Sequence, residues 1–256
     1  MGSITDYLED ELLDHVLNGN TFSPAATLYL CLCTADPTDA ATGASMSECG
    51  DSGAYERTEI TFDEVFNRQI YQLADVTFPT ATGSWGTVTH FAIADTQTHG
   101  AGNVYAHGTL AFSRSVESGN TPVIAAAEIM VELLTEDISS YLANALLDFA
   151  FRDQVYASPP TWVALCDGLI EDAATGDTMP ETSGSGYARV RVYTSGCGAP
   201  EIRWSAVASG RVENDAAIVF PTALADWGDM TGIAVVDADS LGNMLFYDND
   251  MTDQAV

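Results

Sequence analysis

The sequence predicts a mainly β protein built from two tandem β-sandwich-like units, each with an N-terminal helix. Three observations support this prediction. Short apolar, β-branched runs alternate with Gly-, Asp- and Thr-rich turns along most of the chain. Two stretches instead carry apolar residues at helical spacing. The same ordered set of motifs also occurs twice within the 256 residues.

The duplication is visible in matching blocks of sequence. Residues 4–14 match 138–148, and the most distinctive block pairs Val76-Thr-Phe-Pro-Thr-Ala-Thr-Gly-Ser-Trp-Gly86 with Ile218-Val-Phe-Pro-Thr-Ala-Leu-Ala-Asp-Trp-Gly228. Because the blocks recur in one order, we predict units at residues 1–135 and 136–256. The second unit lacks a counterpart of residues 109–133, which have the pattern of two strands, so we expect it to expose an open sheet edge.

A helix is predicted at the start of each unit. Apolar residues at 3.6-residue spacing run from Ile4 to Val16 and from Ile138 to Phe149. Ser3 is the expected cap of the first helix, and Asp137 or Ser139 that of the second.

Strands are predicted at 27–34, 74–78, 87–94 and 104–112 of the first unit, because these runs are apolar and bounded by turn residues. The polar stretches 36–53 and 167–186 are expected to be exposed loops, or arms that become ordered only against a neighbour.

Charge is the strongest compositional signal. The chain has 37 acidic and 8 basic residues, a net charge of −29, and all the basic residues are arginine. Such a surface repels phosphate, which excludes nucleic acid as a partner and argues against an anionic membrane surface. The acidity fits either a basic partner or a protein adapted to high salt, and the absence of lysine favours the second explanation. No apolar run is long enough for a membrane span, and the acidic N-terminus is not typical of a signal peptide.

Candidate catalytic and metal-binding motifs are weak. Gly50-Asp-Ser-Gly53 resembles a serine-protease loop, but its counterpart Ser183-Gly-Ser-Gly186 is a plain flexible run. The histidines, at 15, 90, 99 and 107, all lie in the first unit, and Gly232 replaces His90 in the second. We therefore expect solvated or partly buried histidines, no enzyme and no cofactor.

The cysteines and paired aspartates have structural interpretations as well as functional ones. The odd number of cysteines, at 31, 33, 49, 166 and 197, matches no zinc site and favours small buried residues. A structural cation is conceivable at Asp237-Ala-Asp239 or Asp248-Asn-Asp250, although solvated surface is the more common role of such pairs.

Contact with a host and with neighbouring subunits is assigned to two sets of residues. Trp85 and Trp227, each in a turn before Gly, are either a carbohydrate platform facing the host or core residues at the edge of a sheet. Half of the arginines lie in one short stretch and are expected to pair with acids within the unit or across an interface. Either the open edge of the second unit or the C-terminal segment 248–256 is expected to dock on a neighbour. With the aspartates of that segment, the interface set is Arg189, Arg191, Arg203, Arg211, Asp248 and Asp250.

The repeated pattern resembles a family of structural proteins from tailed viruses (Caudoviricetes). The resemblance rests on a Tyr-Leu helix ending in Leu-Leu-Asp, a Tyr-x-Arg loop, the Phe-Pro to Trp-Gly block, and a final Gly-Asn turn. In this sequence these positions include Tyr7, Asp14, Tyr55, Arg57, Phe78, Pro79, Trp85, Asp95 and, in the second copy, Tyr141, Asp148, Tyr187, Arg189, Phe220, Pro221, Trp227, Asp237 and Asn243.

The resemblance implies a non-enzymatic virion protein on the outer surface of the particle. Two nearly equivalent β units in a compact chain favour an outer capsid decoration or turret protein, with a tail fibre or baseplate component that binds a host glycan or S-layer protein as the alternative. Implied partners are major capsid or tail proteins and the protein itself in a symmetric homo-oligomer. The composition adds a haloarchaeal host.

Overall fold

A computed structural model describes residues 2–50, 52–133, 137–194 and 201–251, and the backbone of 254–255. The protein is mainly β, with 32% strand and 11% helix. Contacts divide it into two compact units, one of residues 1–11, 23–133 and 146–155, and the other of residues 12–22, 134–145 and 156–256. The expected boundary between 135 and 136 lies outside the described residues.

The elements follow one another in a simple order along the chain. The helices are α1 (Asp6–Leu13), which continues as a π-helical turn over Asp14–Asn18, and α2 (Ser140–Arg152). The strands before α2 are β1 (Gly2–Ile4), β2 (Leu28–Cys33), β3 (Thr58–Ile60), β4 (Gln69–Tyr71), β5 (Val76–Thr77), β6 (Gly86–Ala94), β7 (Val104–Val116), β8 (Val123–Ile124) and β9 (Met130–Glu132). Those after it are β10 (Thr161–Cys166), β11 (Val190–Val192), β12 (Asp229–Met230), β13 (Gly232–Val236), β14 (Met244–Asp248) and β15 (Gln254–Ala255).

The first unit is organised around one large sheet. Its strand order is β3-β2-β6-β7-β1-β9-β4, and β5 pairs separately with β8. In the second unit the order is β11-β10-β13-β14, and β12 pairs with β15. The observed strands confirm the mainly β prediction, whereas the sandwich architecture stays a prediction, since this pairing does not define two facing sheets.

Small side chains let a loop pack directly on each sheet. In the first unit one core cluster consists of Cys31, Cys33, Ala41, Met46, Ala92, Ala94 and Val104. The second unit repeats the cluster with Ala164, Cys166, Ile170, Met179, Ala234, Val236 and Met244. Cys31, Cys33, Cys49 and Cys166 are free and buried, as expected from the sequence, and Cys197 lies outside the described residues.

One of the two helix starts differs from the prediction. The cap of α1 is Thr5, whose hydroxyl accepts the Leu8 N–H at 3.4 Å, because residues 2–4 instead form a strand against β7 and β9. The expected Ser3 cap is therefore wrong. The cap of α2 is Ser139, one of the two expected residues, whose hydroxyl accepts the Leu142 N–H at 3.1 Å.

The C-terminal segment pairs inside its own unit. Gln254 and Ala255 pair with Met230 and Asp229 in the way that Arg114 and Ser115 of β7 pair with Val88 and Thr87. Residues 254–255 are thus paired on one edge within their own unit, and docking of 248–256 on a neighbour stays a prediction. Within the described ranges no helix has the length and apolar composition needed to cross a bilayer.

Candidate functional site: two clamped loops

A buried arginine holds the long loop of the first unit in place. The Arg57 side chain is fully buried, and its Nε and Nη2 donate to the two carboxylate oxygens of Glu48 at 2.9 and 2.8 Å. Tyr55 donates its hydroxyl proton to Glu48 Oε1 at 2.8 Å. The remaining guanidinium N–H groups donate to the carbonyl oxygens of Gly43 (3.3 Å), Thr96 (2.9 Å) and Ala101 (2.9 Å). We call Glu48, Tyr55 and Arg57 the first clamp.

The second unit repeats this arrangement contact for contact. Arg189 Nε and Nη2 donate to Glu181 at 2.8 and 2.6 Å, and the Tyr187 hydroxyl donates to the same carboxylate at 2.8 Å. The other guanidinium N–H groups donate to the carbonyl oxygens of Gly176, Ala238 and Leu241, each at 2.8 Å. Glu181, Tyr187 and Arg189 form the second clamp, and each clamp uses all five N–H groups of its arginine.

Burial and hydrogen bonding fix the protonation states of the clamps. Burial is the largest single influence on the pKa of Arg57 and lowers it, but the hydrogen bonds to Glu48 and the nearby charges together outweigh burial and hold the pKa above its usual value. The same balance holds the pKa of Arg189 above its usual value beside Glu181. Burial is the main cause that raises the pKa of Tyr55 and of Tyr187. Each clamp therefore has a charged arginine and a neutral tyrosine at ordinary pH.

A turn closed by an aspartate and an asparagine carries two of the carbonyl groups that each clamp arginine binds. The Asp95 carboxylate accepts the backbone and side-chain N–H groups of Asn103, both at 2.8 Å, and Asp237 accepts those of Asn243 at 2.6 and 2.7 Å. The glycine before each asparagine has a φ near +79°, +79 at Gly102 and +78 at Gly242. The Asp237 carboxylate thus accepts hydrogen bonds with both of its oxygens, which favours a structural role over the conceivable cation site at Asp237-Ala-Asp239.

The two tryptophans support the clamps from within. Trp85 is 5% exposed and Trp227 is 3% exposed, so the expectation that they form an exposed host platform is wrong. Trp85 packs edge-on against Tyr55 at 5.2 Å, and Trp227 against Tyr187 at 5.3 Å. Each indole N–H donates to a backbone carbonyl, at Gly53 (2.8 Å) and at Ser185 (3.0 Å), which is the core-packing alternative that the sequence left open.

The arginines of the predicted interface set have separate roles. Arg189 belongs to the second clamp and its side chain is only 3% exposed, so burial excludes it from an interface. Arg203 pairs with Asp215 at 3.0 Å and the exposed Arg211 with Glu213 at 2.8 Å, both within the unit. Arg191 lies between two aromatic rings, 5.3 Å from Trp162 and 4.5 Å from Tyr193. An interface role for Arg191, Arg203 and Arg211 stays a prediction.

The remaining candidate residues are not assembled into a site. Asp248 and Asp250 are exposed and share a local turn in which the Asp250 N–H donates to Asp248. Each histidine side chain has a different hydrogen-bond partner. His15 contacts two backbone carbonyls, His90 contacts Thr89, His99 the Cys49 carbonyl and His107 the Asp39 carboxylate. Among the described residues, no group of three His, Cys, Asp or Glu side chains is placed to hold a metal ion.

Sequence reasoning missed the two glutamates of the clamps. Their signal is present as a further repeat, Ala41-Thr-Gly-Ala-Ser-Met-Ser-Glu48 against Ala174-Thr-Gly-Asp-Thr-Met-Pro-Glu181. The loops that carry them are not arms that need a neighbour, because the clamp orders each loop within its own unit. In both repeats the glycine packs so tightly that a Cβ would lie 1.9 Å from a carbonyl oxygen, at Ala101 for Gly43 and at Leu241 for Gly176.

The clamps define a chemically inert scaffold. Their carboxylates, guanidinium groups and hydroxyls satisfy one another, and burial raises the pKa of the Cys49 and Cys166 thiols to about 12. Thiols with such a pKa stay protonated and unreactive at neutral pH. A rigid β scaffold that holds loops in place, without an activated group in its clamps, is characteristic of a structural or binding protein.

The comparisons with known proteins identify the family. The sequence matches the family described as podophage GP4 fiber I protein gp80, over residues 3–132 and again over residues 137–255. No curated protein matches the chain. Because the two matches span nearly the whole sequence, the chain belongs to this fibre family. It is a virion structural protein of the tail-fibre class and not an enzyme. The match favours the tail-fibre alternative over capsid decoration.

Proposed function

We propose that the protein is a structural subunit on the outer surface of a virion tail fibre, where it is held by other tail proteins. The observation that carries this proposal is the family match, which covers both copies of the repeat. The clamps support it, because a fibre subunit has to keep its loops rigid without any bound ligand.

Copy number per particle tests the location. Quantitative mass spectrometry of purified virions, referenced to the major capsid protein, should give a few to a few tens of copies for a tail-fibre subunit. Hundreds of copies would instead indicate the capsid decoration or turret role, and would contradict the proposal.

Host attachment is a second candidate function, and one surface feature favours it. In the second unit the Arg191 guanidinium lies over the aromatic rings of Trp162, its cross-strand neighbour, and of Tyr193. We call these three side chains the aromatic ladder. Arg191 is exposed and both rings are partly exposed. Aromatic faces beside a cation suit a host glycan, above all an acidic one, or an acidic S-layer protein. This ladder takes the place of Trp85 and Trp227 as the proposed host contact.

Adsorption to host cells tests the ladder. We expect Trp162→Ala and Arg191→Glu each to lower binding of the purified protein to host cells at least tenfold. The matched control is Tyr29→Ala at the equivalent position of the first unit, which pairs with Glu59 instead of an arginine. Equal binding by all three variants would exclude the ladder from host contact.

Three further features belong to the proposal and have separate tests. A symmetric homo-oligomer predicts a native mass that is two or more times 27.2 kDa.

Adaptation to high salt in a haloarchaeal host predicts a Tm that rises between 0.1 and 3 M salt, since screening relieves the repulsion from a net charge of −29. Two tandem sandwich units predict that residues 1–135 and 136–256 each fold when expressed alone. A monomeric mass, a flat Tm or two unfolded halves would contradict the respective feature.

A further inference from the structure

In the first unit, the Phe-Pro segment is covered by a partner strand. Val76 and Thr77 of β5 pair antiparallel with Ile124 and Val123 of β8. The Phe78 N–H donates to the Pro122 carbonyl at 2.9 Å, one position further along the same ladder. Under this cover Phe78 is 1% exposed and Ile124 is fully buried.

In the second unit, the same segment has no cover among the described residues. Residues 218–221, Ile-Val-Phe-Pro, correspond to 76–79, Val-Thr-Phe-Pro, yet no described residue forms a strand or a backbone hydrogen bond with Ile218 or Phe220. Ile218 and Phe220 are partly exposed, Val219 is 74% exposed and nearby Leu224 is 75% exposed.

The uncovered segment is nevertheless held in the same position. The Phe220 ring stacks on Tyr187 with an interplanar angle of 13°, as Phe78 stacks on Tyr55 at 12°. The Leu224 N–H donates to the Ser185 carbonyl at 3.0 Å, as the Thr82 N–H does to Gly53 at 2.9 Å. The second clamp and its loop therefore fix the segment from one side and leave only its outer edge open.

An edge of this kind is a ready acceptor for another strand. The backbone N–H and C=O groups of Ile218 and Phe220 have no backbone partner among the described residues, and residues 218–221 are apolar, so pairing with a further strand adds hydrogen bonds and buries apolar surface together. Because the acceptor is already ordered, little conformational entropy is lost on that side when a strand binds.

We propose that residues 217–223 accept an antiparallel strand from a different protein of the virion. The covering strand of the first unit shows the chemistry of the occupant, since residues 118–127, Ser-Gly-Asn-Thr-Pro-Val-Ile-Ala-Ala-Ala, carry no charge and supply the two apolar β-branched side chains of Val123 and Ile124. A second copy of this chain is disfavoured as the donor, because its own residues 122–124 already pair with residues 76–78 of its first unit. The inference rests on the proposed function only in taking the donor to be a virion protein.

A labelled peptide with the sequence of residues 118–127 is the probe, titrated against the full chain by fluorescence anisotropy. We expect saturable binding below about 1 mM, the range of weak peptide contacts. Ile218→Asp should weaken binding at least tenfold, because its carboxylate would lie in the apolar ladder. The matched control is Leu169→Asp, in which a leucine that is 71% exposed elsewhere in the same unit is replaced.

A self-complemented variant tests the register without relying on peptide affinity. Gln254 and Ala255 occupy the pairing positions that Arg114 and Ser115 have in the first unit. A copy of residues 117–127 added after Val256 therefore places its Ile opposite residue 218 and its Val opposite residue 219. We expect this variant to lose peptide binding and to slow hydrogen exchange of the Ile218 and Phe220 amides at least tenfold. The same extension with its Val and Ile changed to Asp should keep peptide binding and leave the exchange of both amides unchanged.

The outcomes separate cleanly. No peptide binding up to about 1 mM, together with unchanged amide exchange in the self-complemented variant, would overturn the acceptor edge. Concentration-dependent self-association that Ile218→Asp abolishes would assign the edge to a second copy and overturn the choice of donor. A high copy number per virion would contradict the tail-fibre location while leaving the peptide result intact.

Discussion

In the first unit the clamp glutamate, Glu48, is 3% exposed, whereas in the second unit its counterpart Glu181 is 19% exposed. The hydrogen bonds are nevertheless the same in both units. The difference extends outward from the clamp, because β8 covers the Phe-Pro segment of the first unit and no described strand covers that of the second. The clamp thus keeps its hydrogen bonds in the second unit without a described strand over the Phe-Pro segment. At this segment the first unit has a covered surface and the second an uncovered one.

The largest difference between the units is expected when each clamp loses its arginine. Arg57→Ala leaves the Glu48 carboxylate buried without a cation, so we expect the free energy of unfolding of the first unit to fall by about 4 kcal/mol. Arg189→Ala should cost the second unit roughly half as much, since water reaches Glu181. Hydrogen exchange by mass spectrometry, read on peptides of each unit, measures both losses.

Two further variants decide whether charge or geometry is responsible. Arg57→Lys and Arg189→Lys keep the charge but cannot make the forked contacts to glutamate and to the loop carbonyls. We expect them to resemble the alanine variants more than the unmodified protein. Equal losses in the two units would contradict the argument from burial.

The glycine turns should respond alike in the two units. At Gly102 and Gly242 an added Cβ would lie 2.3 Å from Asp95 Oδ1 and 2.4 Å from Asp237 Oδ1, and φ is positive at both. We therefore expect alanine to cost each unit about 2 kcal/mol, from backbone strain and from displacement of the aspartate. Gly100→Ala and Gly228→Ala are the controls, because φ is also positive there but no atom lies within 4 Å of the added Cβ. If the controls cost as much, the contact with aspartate would contribute nothing.

Alkaline pH should weaken the first unit more than the second, because burial also raises the pKa of Cys31 and Cys33 in the first unit. Burial raises the pKa of Cys49 and of Cys166 to about 12, above the value near 8.5 for an unfolded thiol. A raised folded-state pKa gives stability that is fully present below the unfolded pKa and is lost as pH rises toward the folded pKa. Urea unfolding should therefore give a free energy that is nearly constant from pH 7 to 8 and falls, for each buried thiol, by about 1 kcal/mol per pH unit between pH 9 and 11. A constant value up to pH 11 would contradict the burial of these thiols.

Local patterns in the sequence were sufficient for the strands and for α2, because alternation and helical spacing are determined within a few residues. They failed at the start of the chain, where Ser3 has the composition of a helix cap. There β1 pairs with β7, about a hundred residues away, and this pairing prevails over the local preference for a cap.

The clamps were the hardest part to predict. In a chain with 37 acidic residues, Glu48 and Glu181 look like ordinary solvated surface, and each lies in a polar stretch with the composition of a mobile loop. Only the guanidinium group brought in from the following strand region turns that stretch into an ordered one. The tryptophans were ambiguous for a related reason, since an aromatic residue in a turn is exposed or buried depending on what packs beneath it.

Each clamp binds its loop through backbone carbonyls. Apart from Gly43 and Gly176, where a Cβ would not fit, the side chains at those positions are therefore of little consequence to the clamp. Gly176, Ala238 and Leu241 contribute only oxygen atoms of the main chain to Arg189, as Gly43, Thr96 and Ala101 do to Arg57. Leu241 occupies the place of Ala101, and Ala238 that of Thr96, without any change in the grip. Substitution of the outward side chains in one loop should therefore leave the fold, and the loop of the other unit, unchanged.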